Sequence, residues 1–411
     1  MKDADQLHLF QGFGVELEYM IVAQQDGAVL PVADRVLQAQ AGALVNEVEV
    51  GPLCWSNELV LHVIELKTNG PAASLAGLAA EFQQGVVAIN RHLSALKGRL
   101  MPGAMHPWMD PRRESHLWPH GDSSIYAAYD RIFGCQGHGW SNLQSTHLNL
   151  PFQGDAEFGR LHAAIRLILP LLPALAASSP VFDGHHNGLL DNRLRAYQQN
   201  QRKIPLITGA LIPEAVFTRQ AYQQQILQPI YQAIAPFDHD HILQHEWLNS
   251  RGAIARFDRD AIEIRLLDVQ ECPLADLAII ELICAVLRAL VDERWCSLAE
   301  QQSWDTVPLA KWLLAAIGDA ERARIKDPAF LALFGFPGQR ATMAELWAHL
   351  AGCLLPDRLI SAAAPLAVIL QQGPLARRML RATGSSPSQR RLAKTAERLC
   401  YCLARGEMFD A

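Results

Sequence analysis

Four short runs of this sequence alternate apolar side chains with charged or polar ones, and this alternation constrains the fold more than any other feature. The runs are bounded by Gly, Pro, Asn or Asp and cover residues 15–22, 59–66, 143–150 and 261–267. Successive side chains of a β-strand point to opposite faces of its sheet. Each run therefore predicts a strand with one apolar face and one face that carries polar groups.

Helical periodicity dominates the chain after about residue 152. Apolar residues recur there, and in one earlier segment, at the three-to-four spacing of an amphipathic helix. The predicted helices are 72–100, 155–177, 274–298 and much of 307–405. Strands in the first part and helices after them predict an α+β fold.

Two segments lack this periodicity. Residues 105–122 are dense in Pro, His and Trp, which predicts a long loop over a site. Residues 381–391 carry Gly, Ser and Pro between basic residues and predict an exposed linker.

Composition excludes several classes of protein. A formal net charge of -6 gives no general electrostatic reason to bind nucleic acid or an anionic membrane. The most apolar stretch, residues 274–291, contains Asp276, Glu281 and Arg288, so it predicts a buried helix and not a membrane span. The eight cysteines form no CxxC pair, and the first residues do not resemble a secretory signal. We therefore expect a cytoplasmic protein with reduced thiols.

The first strand places two carboxylates side by side. Glu16 and Glu18 share one face, while Val15, Leu17 and Tyr19 share the other. A solvated sheet face would explain the pair. A site for a hard cation such as Mg²⁺ is the alternative, because Mg²⁺ prefers oxygen ligands, and further acids from other strands would favour it.

The second strand adds a further acid. Glu65 lies among Leu61, Val63 and Leu66, where an unpaired carboxylate would be costly. Its partner is either a metal or an arginine, or else Lys67 in a strand-end salt bridge. Glu58 is predicted to be a surface acid.

The third and fourth strands bring polar groups of other kinds. Ser145, His147 and Asn149 share a face, and the histidine is either a hydrogen-bonded structural residue or a metal ligand. Glu263 and Arg265 share a face in the fourth strand. They belong either to a site on that face or to a ladder of ion pairs between neighbouring strands.

Common catalytic signatures are absent. The sequence contains no P-loop pattern, no GxSxG and no HExxH. A nucleotide would have to be bound in another way, and hydrolases with an activated serine, cysteine or zinc have little support.

The motifs, taken together, resemble the glutamate–cysteine ligase superfamily of ATP-dependent carboxylate–amine ligases. The resemblance spans roughly residues 12–291, with the family's landmarks in the same order. They are the segments 14–19, 63–68, 146–149 and 261–268, and between them Tyr129-Asp-Arg131-Ile132, Ala177-Ser-Ser-Pro180 with Gly184, and Asn192-Arg193.

The resemblance implies a fold and a set of site residues. The fold would be a curved antiparallel sheet of about six strands, backed by helices, whose concave face binds metal ions and ATP, with a helical C-terminal part. The implied Mg²⁺ ligands are Glu16, Glu18, Glu65, His147 and Glu263. Arg265, Arg131 and Arg193 would contact the phosphate or the amino-acid carboxylate, and Arg265, Asn149 and Thr68 would contact ATP.

The resulting hypothesis is an enzyme that activates a carboxylate, by family default the γ-carboxylate of glutamate, for attack by an amine such as that of cysteine, as in glutathione biosynthesis. The alternatives are a non-catalytic binding protein of the same shape and a divalent-metal-dependent amide hydrolase. We expect a catalytic domain over residues 1–291 and a helical extension over 292–411. The partners would be small molecules, with homo-oligomerisation left open.

Overall fold

The computed structural model describes residues 6–121, 123–358, 362–384 and 386–410, with only the backbone of residues 355–358. Within them, one antiparallel sheet organises the first two thirds of the chain. Its strands are β1 (Gly14–Ala23), β2 (Glu47–Val50), β3 (Leu53–Asn57), β4 (Val63–Thr68), β5 (Gly98–Met101), β6 (Ser145–Pro151), β7 (Ala253–Arg256) and β8 (Ala261–Asp268).

The strand order is β2-β3-β4-β1-β6-β8-β7, and β5 pairs with the last residues of β1. Each of these pairings is antiparallel. Strands β1 and β6 are therefore central, which places their side chains far from the sheet edges. A separate small ladder joins β9 (Arg324–Ile325) to β10 (Ala341–Thr342).

The predicted α+β class is confirmed, with eight strands in the main sheet where about six were expected. All four predicted strands are present, although β4 begins only at Val63 because the chain turns just before it. The sequence pattern missed β2, β3, β5 and β7. Each of these is four or five residues long, too short to show a clear alternation.

Helices cover the apolar face of the sheet and form most of the C-terminal part. Those of eight residues or more are Ala33–Ala41, Leu78–Ala95, Ser123–Phe133, Gly154–Ile168, Pro273–Val291, Thr306–Asp319, Met343–Arg358, Ala363–Gln372, Leu375–Thr383 and Gln389–Arg405. The helix Pro273–Val291 packs between Leu78–Ala95 and Gly154–Ile168. Val15, Leu17 and Tyr19 of β1 are fully buried in the same core.

Several predicted bounds need correction. The helices predicted over 155–177 and 274–298 end at Ile168 and Val291. The helix predicted over 72–100 is shorter, because Gly77 adopts a left-handed conformation before it and the chain turns at Lys97 into β5. The linker predicted over 381–391 is also shorter. Thr383 ends one helix and Gln389 begins the next, so among the described residues between 381 and 391 only Gly384 and 386–388 are non-helical.

The predicted loop over 105–122 contains a single short helix, Pro111–Glu114, and Asp122 lies outside the described residues. All eight cysteines are free thiols. In the parts of the chain that the structure covers, no helix combines the length and the apolar character needed to cross a membrane.

Candidate active site

The central strands align the predicted site residues in register. Glu16 of β1 lies opposite His147 of β6, and Glu18 lies opposite Glu65 of β4. Strand alternation directs these side chains to the polar face, away from the buried apolar residues of β1. Asn149 of β6 lies opposite Glu263 of β8, which brings the fourth predicted strand to the same place.

His147 connects the acids of β1 and β8. Its Nδ1 lies 2.8 Å from a carboxylate oxygen of Glu16 and 3.7 Å from one of Glu263. On the other side of the ring, Nε2 lies 2.9 Å from the hydroxyl of Ser145, which donates a hydrogen bond of 2.8 Å to Glu18. The β6–β8 pairing is irregular at this histidine, and such bulges commonly redirect a side chain beside an active site.

Glu65 is paired with Lys67, one of the partners that its sequence context suggested, and with a serine hydroxyl. The hydroxyl of Ser56 donates a 2.6 Å hydrogen bond to its carboxylate, and the Lys67 ammonium lies 3.4 Å away. Lys67 also lies 3.3 Å from Glu47 of the edge strand β2. The salt bridge with Lys67 therefore exists, and it leaves Glu65 within the acidic cluster.

Glu263 lies between two arginines. The Nε atom of Arg265 is 2.9 Å from one carboxylate oxygen, and a guanidinium nitrogen of Arg256 is 3.5 Å from the other. Arg265 retains partial exposure, 25% of its side chain, toward the cavity. Its guanidinium can therefore contact both the glutamate and a bound anion.

Burial and neighbouring charges shift the pKa values of the acids in opposite directions. Burial alone would raise the pKa of Glu16, but the hydrogen bond and charge of His147, with Lys67 and Arg265, lower it to about 2. Burial and the charge of Glu16 raise the pKa of Glu65 to about 7, despite Lys67. Burial would lower the pKa of His147, but the neighbouring carboxylates raise it.

Two overlapping sets of side chains have the composition of a divalent-cation site. Ligand atoms of Glu16, His147 and Glu263 all lie within 4.8 Å of one another, and so do those of Glu18, Glu65 and His147. Carboxylate oxygens with one imidazole nitrogen suit a hard or borderline divalent cation. The five residues for which we predicted a metal role therefore come together at one place.

Glu58 belongs to this cluster, and the prediction that it is a surface acid was wrong. The residue is half-buried and lines the same cavity as Glu18 and Glu65. Burial and the charges of these two glutamates raise its pKa well above the usual value. It lies just after β3 and before the turn into β4, so strand alternation gave no signal for it.

The other predicted contact residues are distributed unevenly. Thr68 and Asn149 line the cavity, and Asn149 donates a 3.0 Å hydrogen bond to Glu16. Arg193 is buried behind Arg265, donates a 2.8 Å hydrogen bond to its carbonyl oxygen and pairs with Asp268. Arg131 is exposed and donates to the carbonyl of Phe237, and it is not among the residues that line either cavity described below.

Two adjoining cavities open on this face of the sheet. The larger has a volume of about 1370 Å³ and contains the acidic cluster, while the smaller has about 490 Å³. Their common wall includes Glu18, Glu58, His147 and Arg265. The larger has room for a nucleotide, and the smaller adjoins the point where acids and arginine meet.

Comparison with known proteins gives a consistent result. The model of glutamate–cysteine ligase family 2 matches residues 12–393. An uncharacterised protein from Archaeoglobus fulgidus is 38% identical over 281 residues, which cover 68% of this chain and 75% of that protein. A Corynebacterium glutamicum protein provisionally named glutamate–cysteine ligase 2 is 27% identical over 186 residues, 45% of this chain and 46% of that relative.

A solved structure shares the fold. The glutamate–cysteine ligase of Francisella tularensis, determined in complex with AMP, superimposes with a TM-score of 0.60 at 11% sequence identity, and the match covers 95% of this chain and 88% of the other. These findings confirm the resemblance drawn from the sequence motifs. With a family match over nearly its whole length, the chain belongs to glutamate–cysteine ligase family 2.

Proposed function

We propose that this protein is an ATP-dependent carboxylate–amine ligase. One observation carries the proposal: Glu16, Glu18, Glu65, His147 and Glu263 converge beside Arg265 where two cavities meet. The family membership and the AMP bound by the Francisella ligase support a nucleotide in the larger cavity.

The proposed reaction has two steps. An oxygen of the substrate carboxylate attacks the γ-phosphorus of ATP, the bond from that phosphorus to the β–γ bridging oxygen breaks, and ADP leaves. The amine nitrogen then attacks the carbonyl carbon of the acyl phosphate, the carbon–oxygen bond to phosphate breaks, and inorganic phosphate leaves. An ammonium substrate loses two protons as the amide forms. One proton stays on the inorganic phosphate, which leaves as HPO4²⁻ with the former carboxylate oxygen, and the other is released to solvent.

The residues of this chain act mainly by positioning and charge stabilisation. Arg265 would contact the transferring phosphoryl group, because a guanidinium can bind two of its oxygens at once. Arg193 would hold Arg265 in place by donating a hydrogen bond to the backbone carbonyl oxygen of Arg265. Asn149 and Thr68 would contact the nucleotide from the floor of the cavity. We assign Arg131 no contact with substrate, since its guanidinium bonds to Phe237.

The five clustered ligands would hold Mg²⁺, which when bound would neutralise the triphosphate charge. Glutamate as donor, through its γ-carboxylate, and a small-molecule amine as acceptor are the substrates that the family suggests. Activity of this kind, drawing on ATP and free amino acids, fits a cytoplasmic enzyme.

Phosphate release from ATP tests the proposal. With Mg²⁺ and glutamate fixed and the amine varied, we expect release that depends on one class of amine and is lost in Glu263→Gln. Glu397→Gln, an exposed acid on the last helix, is the matched control and should keep wild-type release. Amide cleavage without ATP would instead identify a metal-dependent hydrolase, and ligand binding without turnover would identify a binding protein.

A further inference from the structure

The smaller cavity has an aromatic wall that the chemistry of phosphoryl transfer does not require. It adjoins the acidic cluster through Glu18, His147 and Arg265. Five aromatic side chains line it beside several aliphatic and polar ones, and only Trp247 of the five also lines the larger cavity: Tyr126, Tyr129, Trp140, Tyr197 and Trp247.

These rings are only partly buried, in contrast to most of the large apolar side chains of the protein. Partly exposed aromatic rings that converge on a concave surface are typical of a ligand site, because their burial is completed by the ligand. If the wall were only part of the core, the rings would be covered by other side chains. Instead, they remain accessible from the cavity.

Mutual packing fixes the wall in place. The ring of Tyr129 lies 5.1 Å from that of Trp140 and 6.0 Å from that of Trp247, measured between centroids. Phe133 stacks on Trp140 from behind at 5.8 Å. A wall held in this way loses little side-chain entropy when a ligand binds, which favours recognition of a rigid flat group.

Polar groups also line the same cavity. The Tyr197 hydroxyl and the Nε of Arg193 are buried, and neither has a hydrogen-bond partner among the described residues. Glu18 and Glu58 line the same cavity, together with Arg256, Arg259 and Arg265. A ligand that carries a cationic amine beside an aromatic group would match this combination, because acids attract the ammonium and aromatic faces bind both the ring and the charge.

We propose that the smaller cavity binds the acceptor amine and that this acceptor carries an aromatic side chain. The inference rests on the proposed ligase function, because it identifies the cavity by its position next to the site of acyl transfer. The thiol side chain of cysteine is too small to contact several of the five rings. An aromatic side chain buries much more apolar surface against them, so it should be selected over both cysteine and alanine.

Acceptor competition tests the inference in the full-length protein. Phosphate release is measured with Mg²⁺-ATP and glutamate, and with L-phenylalanine, L-cysteine or L-alanine as the amine. We expect kcat/KM for phenylalanine to exceed both others by about 10-fold or more. Equal or better use of cysteine or alanine would overturn the inference and leave the ligase function standing.

If no amine supports phosphate release, that result contradicts the proposed ligase function and leaves the inference about the smaller cavity untouched. A binding measurement then tests that inference separately. Calorimetric titration of the protein with the same three amino acids, without ATP, should then show the tightest binding for phenylalanine. Equal affinity for the three, or none for phenylalanine, would contradict the inference.

Variants of one wall residue complete the test. Trp140→Ala should lose the preference for phenylalanine, in kcat/KM or in affinity, whereas Trp140→Phe should keep most of it because a ring remains. Tyr401→Ala removes a surface ring that is 56% exposed on the last helix and should change nothing. Thermal melts establish that each variant is folded. Unaltered selectivity in a folded Trp140→Ala protein would also overturn the inference.

Discussion

At the scale of single residues, the acids of the cluster occupy different environments although they lie on one sheet face. Glu16 is held ionised by His147, whereas burial and neighbouring acids raise the pKa of Glu65 to about 7 and that of Glu58 well above its usual value. Glu263 pairs with Arg265 and Arg256. A cation that binds here would draw protons from Glu65 and Glu58, so its binding should release protons.

We predict that Glu16→Gln and Glu263→Gln each reduce ATP-dependent turnover by about 100-fold or more, because each removes a charged ligand from the cluster. Neither side chain packs in the apolar core, so the fold should persist. Turnover and thermal melting are measured together. Full activity with unchanged Mg²⁺ dependence would refute the metal role, and loss of the fold would show that these acids are structural.

For Arg265→Lys we expect binding of Mg²⁺-ATP with formation of acyl phosphate slowed by about 10- to 100-fold, since lysine lacks the fork that spans two phosphate oxygens. Single-turnover formation of acyl phosphate is the measurement. If Arg265 serves only as the ion-pair partner of Glu263, the lysine retains the charge, and a wild-type rate would result.

Strand periodicity predicted which residues share a face, and it did so because a side-chain period of two is a local property of the chain. The buried Val15 and Leu17 and the polar Glu16 and Glu18 follow it. Glu58 could not be found in this way, since its position depends on how the chain turns between β3 and β4. The metal, phosphate and nucleotide roles of the site residues remain predictions.

At the scale of secondary-structure elements, the end of β8 is tied to the C-terminal helices. Glu271, shortly after β8, forms an ion pair with Arg378 of the helix Leu375–Thr383, and both side chains are fully buried. Arg378 also donates a 2.9 Å hydrogen bond to the carbonyl of Phe409, whose own N–H donates to Glu271 at 3.2 Å. The last residues of the described chain are thereby joined to the strand that carries Glu263 and Arg265.

Arg378→Met should destabilise the protein by about 3–5 kcal/mol, because it leaves the buried Glu271 carboxylate without its cation. Urea unfolding gives the free energy of unfolding. Arg405→Met, which breaks the exposed pair with Glu407, is the matched control and should have little effect. Equal stabilities of the two variants would show that the buried pair does not hold the C-terminal helices in place.

Long elements were predictable and short ones were not. The helices Gly154–Ile168 and Pro273–Val291 are long enough for their apolar repeat to be clear. Strand β5 was hidden, because its Leu100 and Met101 continue the apolar spacing of the preceding helix. Edge strand β2 gave too short a pattern. In each case pairing with a distant strand, which the local sequence does not specify, determines the structure.

At the scale of the whole molecule, several histidines are buried and stay neutral at pH values at which an exposed histidine is protonated. Burial, and to a smaller extent the charge of Arg166, lowers the pKa of His162 to about 3, and burial lowers those of His62 and His106 to about 4. The unfolded chain binds these protons near pH 6.5. Stability is therefore fully present above that pH and is lost as the pH falls below it.

His162→Phe should reduce the loss of folding stability at acid pH. A phenylalanine keeps a ring beside Phe158, which stacks on His162 at 5.2 Å, and it has no proton to bind. Between pH 7 and pH 5 the free energy of unfolding should fall by about 2 kcal/mol less in the variant than in the wild type. Urea unfolding at both pH values provides the comparison, and parallel declines would contradict the assignment of His162.

The sequence did not predict which distant segments of the chain come together. The aromatic wall combines residues 126–140 with Tyr197 and Trp247, which lie far apart in the chain and share no motif. Long-range packing alone brings them together. The division into domains at residue 291 stays a proposal, and the family match continues through residue 393.

The transfer of isotopic oxygen tests the central claim most directly. Glutamate labelled with ¹⁸O in its γ-carboxylate is incubated with the protein, Mg²⁺-ATP and an amine that supports phosphate release, and the inorganic phosphate is analysed by mass spectrometry. Attack of the carboxylate on the γ-phosphorus predicts one ¹⁸O atom in each phosphate released and an amide that retains the other. Phosphate without the label, released at the same rate with or without the amine, would contradict the assignment of this protein as a carboxylate–amine ligase.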